Sequence, residues 1–345
     1  LFPYTTLFRS DIIVPDVKPD MASILQTESN IIIDKTEIVQ DRIKFSGHLD
    51  LHVIYIAKST DNSIYSIDHL LPIDNFINID GAENNMQANI DATINKIDYK
   101  MLNDRKINIR AVLDICADVQ EECEYEIITG LKNIPDSQQL KQNLKINRLV
   151  ENRNDRFIVK DELQLTSGKP NIREILQTSI DIITRDIKSA KNKVTVSGEL
   201  LLKILYKSDS SDSPNLIEIT EHELPFNGVF DVSKAEEFMF ADVKLFVQDK
   251  YIQVKPNSGG EDRLFDTEIF IGANIKINSE EETEILCDAY STKENLDIIR
   301  EEINYKNIIC KNKTQTQIKE IIQLEKNCPS IMQILKTNVN PHIDD

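Results

Sequence analysis

Lys193–Tyr206, KVTVSGELLLKILY, alternates apolar and outward-facing residues along its whole length. Val194, Val196, Gly198, Leu200, Leu202, Ile204 and Tyr206 share one side, and a period of two is the signature of a strand with one buried face. Arg42–Ile56, RIKFSGHLDLHVIYI, holds Ile43, Phe45, Leu49, Leu51, Val53 and Tyr55 in the same phase, with Ser46-Gly47 standing where Ser197-Gly198 stands. The two stretches lie 151 residues apart and match without a gap. Such self-similarity at a fixed spacing marks a duplicated unit.

The duplication extends in both directions. Upstream, Pro19-Asp-Met-Ala-Ser-Ile24-Leu25-Gln26-Thr27 returns as Pro170-Asn-Ile-Arg-Glu-Ile175-Leu176-Gln177-Thr178, and once more as Pro329-Ser-Ile-Met-Gln-Ile334-Leu335-Lys336-Thr337. Downstream, after a slip of two, Leu71-Pro72 matches Leu224-Pro225, and Ala82, Met86 and Ala88 match Ala235, Met239 and Ala241. Ile107, Ile109, Ala111, Leu113 and Ile115 then align with Ile269, Ile271, Ala273, Ile275 and Ile277, across an insertion holding Asn257-Ser258-Gly259-Gly260. Gln138–Asp155 and Asp297–Thr314 also align, so they belong to the unit and are not free linkers. The matches fall on apolar positions and the insertions on polar ones, as when a core is kept and loops drift. The expected boundaries are 11–155 for the first repeat, 156–315 for the second and 316–345 for the start of a third, which makes the chain a fragment.

Further strands are expected at Leu216–Glu221, Met239–Val254 and Glu268–Ile277, joined by polar loops such as Asp209–Ser213. Long strands with Gly, Asp, Ser and Asn between them predict a mainly β fold of tandem antiparallel, sandwich-like repeats. Helix should be confined to short turns. Proline suits a first helical position, so Pro-x-x-x-x-Ile-Leu-x-Thr is read as a short helical turn, with an edge strand as the rival. Ala82-Glu-Asn-Asn and Ala235-Glu-Glu-Phe are expected to add another.

The chain has 345 residues, 40% of them hydrophobic, which suffices for a core in each repeat. A formal net charge of -18 repels nucleic acid and anionic membranes, and only the short clusters Lys188–Lys193 and Lys311–Lys313 run against it. No apolar run approaches the roughly 18 residues of a spanning helix, so no direct membrane insertion is expected. Cys116, Cys123, Cys287, Cys310 and Cys328 are odd in number and lack a Cys-x-x-Cys pair, which argues against a disulfide framework or zinc site and for a reducing compartment.

Chemistry is scarce. His48 and His52 have metal-ligand spacing only on a helix; in a strand they fall out of step with the apolar face and should be solvated, and their counterparts are Glu199 and Lys203. His69, His222 and His342 are single. Gly168-Lys169 is followed by Pro170 where a phosphate loop needs Ser or Thr, so a turn is expected. Glu121-Glu122 and Glu280-Glu281-Glu282 read as exposed hairpin loops, and Cys116, Cys287, Cys310 and Cys328 as small buried hydrophobes. The repeats share architecture and no catalytic constellation. No catalytic, cofactor-binding or metal residue is assigned, and no enzyme activity is expected.

Lys160-Asp-Glu-Leu-Gln-Leu165 followed by Gly168-Lys-Pro-Asn-Ile-Arg-Glu-Ile-Leu176, and Lys319-Glu-Ile-Ile-Gln-Leu324 followed by Cys328-Pro-Ser-Ile-Met-Gln-Ile-Leu335, resemble the entrance of SPOCS domains. Leu224-Pro-Phe-Asn-Gly228, Asp242–Pro256 and Asp104-Arg-Lys-Ile-Asn108 have the same look, and the array from Asp11 onward is similar to clostridial spore coat morphogenetic proteins of the SipL type. The resemblance implies a non-enzymatic adaptor that tethers the assembling coat to the forespore surface in the mother-cell cytoplasm. It also implies a partner, the coat's morphogenetic ATPase, reached through a LysM domain that has no counterpart among these residues. The competing reading is a carbohydrate- or envelope-binding β module. It needs exposed aromatic platforms, and the chain has no tryptophan and nine tyrosines.

Leu1–Ser10, LFPYTTLFRS, fits neither a signal peptide nor the repeat. Against Asn152–Asp161 only Arg9 over Lys160 agrees, and the string looks like translated sequencing adapter. It is expected to be non-native, and to stay disordered or take the first strand's place poorly, with no packed role for Phe2, Tyr4 and Phe8.

Overall fold

The computed structural model describes residues 2–60, 63–121, 123–124, 126–209, 216–300, 302, 304, 319–324, 328–331 and 334. Cys310, Lys311–Lys313 and His342 lie outside them, as do Glu122 and most of the third repeat entrance. Twelve strands follow one another: β1 (Phe2–Ile13), β2 (Met21–Val39), β3 (Arg42–Ala57), β4 (Ile64–Asn78), β5 (Gln87–Asn103), β6 (Lys106–Gln120), β7 (Ser137–Gln164), β8 (Ile172–Ala190), β9 (Lys193–Ser208), β10 (Ile217–Asp231), β11 (Phe240–Pro256) and β12 (Asp262–Ser291).

They form four antiparallel sheets of three strands, in the orders β1-β6-β5, β2-β3-β4, β11-β12-β7 and β10-β9-β8. Each unit therefore pairs two sheets. Its first strand enters one sheet, the next three make a meander in the other, and the last two return to the first sheet, where the sixth strand lies between the first and the fifth. In the first unit the inward residues of β3 (Ile43, Phe45, Leu49, Leu51, Val53, Tyr55) and of β6 (Ile107, Ile109, Ala111, Leu113, Ile115, Ala117) meet in one core. The second unit repeats this with β9 and β12. Each fully buried Leu or Ile contributes about 1.5–3 kcal/mol of transfer free energy, so these central strands hold each unit together.

The alternation that predicted β3 and β9 is thus observed, with the apolar side turned inward. The entrance is different. Residues after Pro19 and Pro170 begin β2 and β8 directly, and no helix occurs among the described residues. Proline's fixed φ suits an extended approach to a strand as well as a helix start, and the Ile and Thr residues that follow favour the strand. Ala82-Glu-Asn-Asn and Ala235-Glu-Glu-Phe form turns, closed by Met86 N–H to Glu83 O at 3.0 Å and Met239 N–H to Glu236 O at 3.2 Å.

Three further expectations are corrected. Glu280–Glu282 are exposed but lie inside β12, opposite Asn147, Ile146 and Lys145 of β7, because Lys145 and Arg148 supply cross-strand partners for the carboxylates. Phe2–Ser10 are ordered in β1, which pairs with β6 from Phe2↔Ala117 to Ile13↔Lys106; Phe8 packs against the core, while Tyr4 is exposed. β1 takes the position in its unit that β7 takes in the second.

The third correction concerns register. Ile13 pairs with Lys106 and Gln164 with Leu264, so Lys106 corresponds to Leu264 and Ile107 to Phe265, four positions short of the Ile269 expected from sequence. A slip of four is even, so every side chain keeps its face and the apolar pattern cannot reveal it.

Candidate interaction surface

The structure gathers polar side chains in two kinds of place: the crossing loops of each unit, and the seam between units. At the crossings, the chain passes from β1 to β2 over Val14–Asp20 and from β7 to β8 over Leu165–Asn171. Tyr55 Oη donates to Pro19 O at 2.9 Å and Tyr206 Oη to Pro170 O at 3.1 Å. Both tyrosines are fully buried, and burial pushes each phenol up to about 12. Arg105 reaches back to Val14 O, Pro15 O, Lys18 O and Asp20 Oδ1, at 3.0, 3.1, 3.4 and 2.6 Å. Arg263 reaches Thr166 O, Lys169 O and Asn171 Oδ1, at 3.2, 2.7 and 3.0 Å. These arginines correspond in the observed register, and the misplaced alignment had hidden them.

Gly168 is the left-handed residue (φ 89°) of the second crossing, where Lys169 N–H donates to Thr166 O at 3.2 Å. Lys169 Nζ sits 2.5 Å from Glu218. Its neighbours make this segment a fastened turn, as the sequence suggested.

The histidines are less solvated than expected. His48 Nδ1 lies 2.9 Å from Asp34 and His52 Nδ1 2.5 Å from Asp68, and both rings are half-buried. The cause is cross-strand pairing on the outer face of β3, where His52 stands opposite Asp68 of β4. His69 and His222 occupy corresponding positions, facing Leu51 and Leu202, a match the sequence reading passed over. His222 packs edge-on to Phe265, with Nε2 3.1 Å from Thr220 Oγ1, and burial holds its pKa below the ordinary value. No group of three or more metal-ligating side chains occurs among the described residues. Cys116 and Cys287 are half-buried and Cys123 and Cys328 exposed, not core residues, because Cys116 alternates with inward Ile115 and Ala117 and so faces outward.

The seam joins the units through their outer faces. Ile54 of β3, Leu176 of β8 and Leu205 of β9 are buried together, with Ile64, Ile217 and Ile219 packed against them. Around this cluster, Lys18 Nζ lies 2.5 Å from Glu174, and the Tyr65 ring takes Lys18 at 5.6 Å and Lys207 at 5.1 Å. Burial raises the pKa of Asp50, a shift that Lys250 of the second unit opposes. Farther along, Lys244 pairs with Asp91, Lys276 lies 3.9 Å from Asp118, and Asn152 Nδ2 lies 3.5 Å from Gln87 Oε1.

No helix among the described residues is long and apolar enough to cross a membrane. Comparison with curated proteins and with solved structures finds no match. A family model does match, twice: residues 20–102 and 171–255 fit the SipL, SPOCS domain. The two matches span β2–β5 and β8–β11, the same four strands of each unit. The family points to a sporulation-related protein, and the chain carries two tandem SPOCS domains of the SipL type.

Proposed function

We propose that this chain is a non-enzymatic adaptor of endospore coat assembly, tethering coat layers to the forespore surface by protein–protein contacts in the mother-cell cytoplasm. The observation that carries the reading is the double match to the SPOCS domain. The form of the molecule supports it: two packed units whose polar networks fasten loops and a seam are suited to presenting surfaces. The partner proposed is the coat's morphogenetic ATPase. In this family that contact runs through a LysM domain, and no residue of this chain is assigned to it. The SPOCS domains would then serve contacts with other coat proteins.

The test is a fluorescent fusion of this chain in sporulating cells, with crosslinking and mass spectrometry of what it holds. Enrichment around the forespore, with coat proteins crosslinked to SPOCS surfaces, is the expected result. Uniform cytoplasmic signal with no coat protein captured would overturn it. Retention on purified peptidoglycan in the absence of other proteins would favour the envelope-binding reading instead.

A further inference from the structure

The seam has a property that neither domain shows alone. In the observed register Ile54 corresponds to Leu205 and Ile64 to Ile217, since Met21↔Ala57 matches Ile172↔Ser208 and Ile56↔Ile64 matches Lys207↔Ile217. Likewise Asp91, opposite Cys116, corresponds to Lys244, opposite Asn274, and Asp118, opposite Asn89, to Lys276, opposite Asp242. Across the seam the two charged pairs of corresponding positions meet as ion pairs, and the two apolar pairs belong to one cluster. Units stacked by translation would bring unlike positions together; only a pairing close to two-fold brings each position to its own counterpart.

At the apolar positions the counterparts are alike, so they would suit any pairing of these domains. At the charged positions they are opposite. We infer that the seam is a pseudo-two-fold pairing in which Asp91 with Lys244, and Asp118 with Lys276, select the first SPOCS domain as partner of the second over a copy of either. Two first domains would set Asp91 against Asp91 and Asp118 against Asp118. Two second domains would set lysine against lysine at both places. The flanking contacts do not discriminate in this way: in a pair of second domains Lys169 replaces Lys18 opposite Glu174, and Glu218 replaces Tyr65 opposite Lys207. Only the positions that face themselves oppose the wrong pairings. Exposed pairs of this kind add little affinity, so they govern choice while the apolar cluster supplies affinity. Between the two described domains the pairing is closed.

The test uses the whole chain with Ile54→Cys as a reporter thiol, whose labelling rate, read at that position by peptide mass spectrometry apart from the native cysteines, reports seam opening. Lys244→Asp with Lys276→Asp should raise that rate about 5- to 30-fold at low salt, the factor that one to two kcal/mol of like-charge repulsion produces. Adding Asp91→Lys and Asp118→Lys should bring the rate back to that of the reporter chain. Leu205→Asp should accelerate labelling whatever the charges. The inference is overturned if charge reversal leaves the rate unchanged, if the fourfold exchange fails to restore it, or if Leu205→Asp has no effect.

Discussion

Tyr206 closes the second crossing by donating its hydroxyl to Pro170 O at 3.1 Å from the fully buried inner face of β9. Tyr55 does the same for Pro19. Proline carries no N–H, so its carbonyl is the only backbone group the crossing can offer there, and the tyrosine satisfies it inside the core.

Removing that hydroxyl should show in alkali. Burial raises the phenol from 10.0 to about 12 in the folded chain. A raised folded value means that the tyrosine's stabilising contribution is whole below pH 10 and is lost as pH rises from 10 towards 12. Tyr206→Phe should cost about 1–2 kcal/mol at pH 7, for the unsatisfied carbonyl. It should also flatten the alkaline loss, as read by urea unfolding at several pH values. An unchanged alkaline slope would refute the account.

The arginine clamp makes a different prediction. Arg263 contacts Thr166 O, Lys169 O and Asn171 Oδ1 at once, which needs a planar fork with several donors. Arg263→Lys keeps the charge and loses the fork. Hydrogen exchange should quicken in Leu165–Asn171 while the centre of β9 keeps its protection. Equal exchange in both chains would mean that charge alone suffices.

How much of this was legible from residues alone depends on parity. The strands β3 and β9 were readable because a period of two cannot be imitated by a helix. The clamp was missed for the same reason that the strands were found. Sliding β12 by four residues keeps inward on inward and sets Ile107 on Ile269 in place of Phe265, so apolar matching preferred it, whereas the backbone pairs put Arg105 on Arg263. The entrance was misread because proline starts helices and strands alike. The seam was invisible for another reason: Ile54 and Ile56 put apolar residues on the outer face only at the end of β3, and so short a patch does not name its partner. His69 and His222 occupy corresponding positions, but single histidines without neighbouring ligands form no cluster in the sequence.

Gly47 and Gly198 give the third prediction. Each stands opposite a bulge, between Ile33 and Lys35 or between Thr184 and Asp186, where the partner strand pushes a carbonyl inward. A Cβ there would lie 2.1 Å from Ile32 O or 2.2 Å from Ile183 O, with Phe226 also crowding the second. Backbone oxygens cannot turn aside as a side chain can. Gly198→Ala should therefore destabilise by about 1–3 kcal/mol or more, in a chemical-denaturation midpoint. Gly168→Ala, where no atom lies within 4 Å but φ is 89°, should act by backbone strain alone and cost less. If the two substitutions cost the same, close approach is not the reason for Gly198.

Acid should loosen the second domain through His222. Its ring is half-buried against Phe265, and burial alone lowers its pKa from 6.5. A base with a depressed folded value is neutral when folded, so the stability it permits is complete above pH 6.5. That stability falls away as pH drops below 6.5 and the unfolded chain takes up the proton first. Many groups take up protons on acidification, so the informative quantity is a difference between two chains. His222→Phe keeps an aromatic ring beside Phe265 and removes the proton. It should lose less stability between pH 7 and 5 than the parent, by thermal unfolding at matched ionic strength, with Thr220 Oγ1 giving up its ring-nitrogen partner as the cost at pH 7. Parallel pH profiles for the two chains would show that His222 takes no part in the acid response.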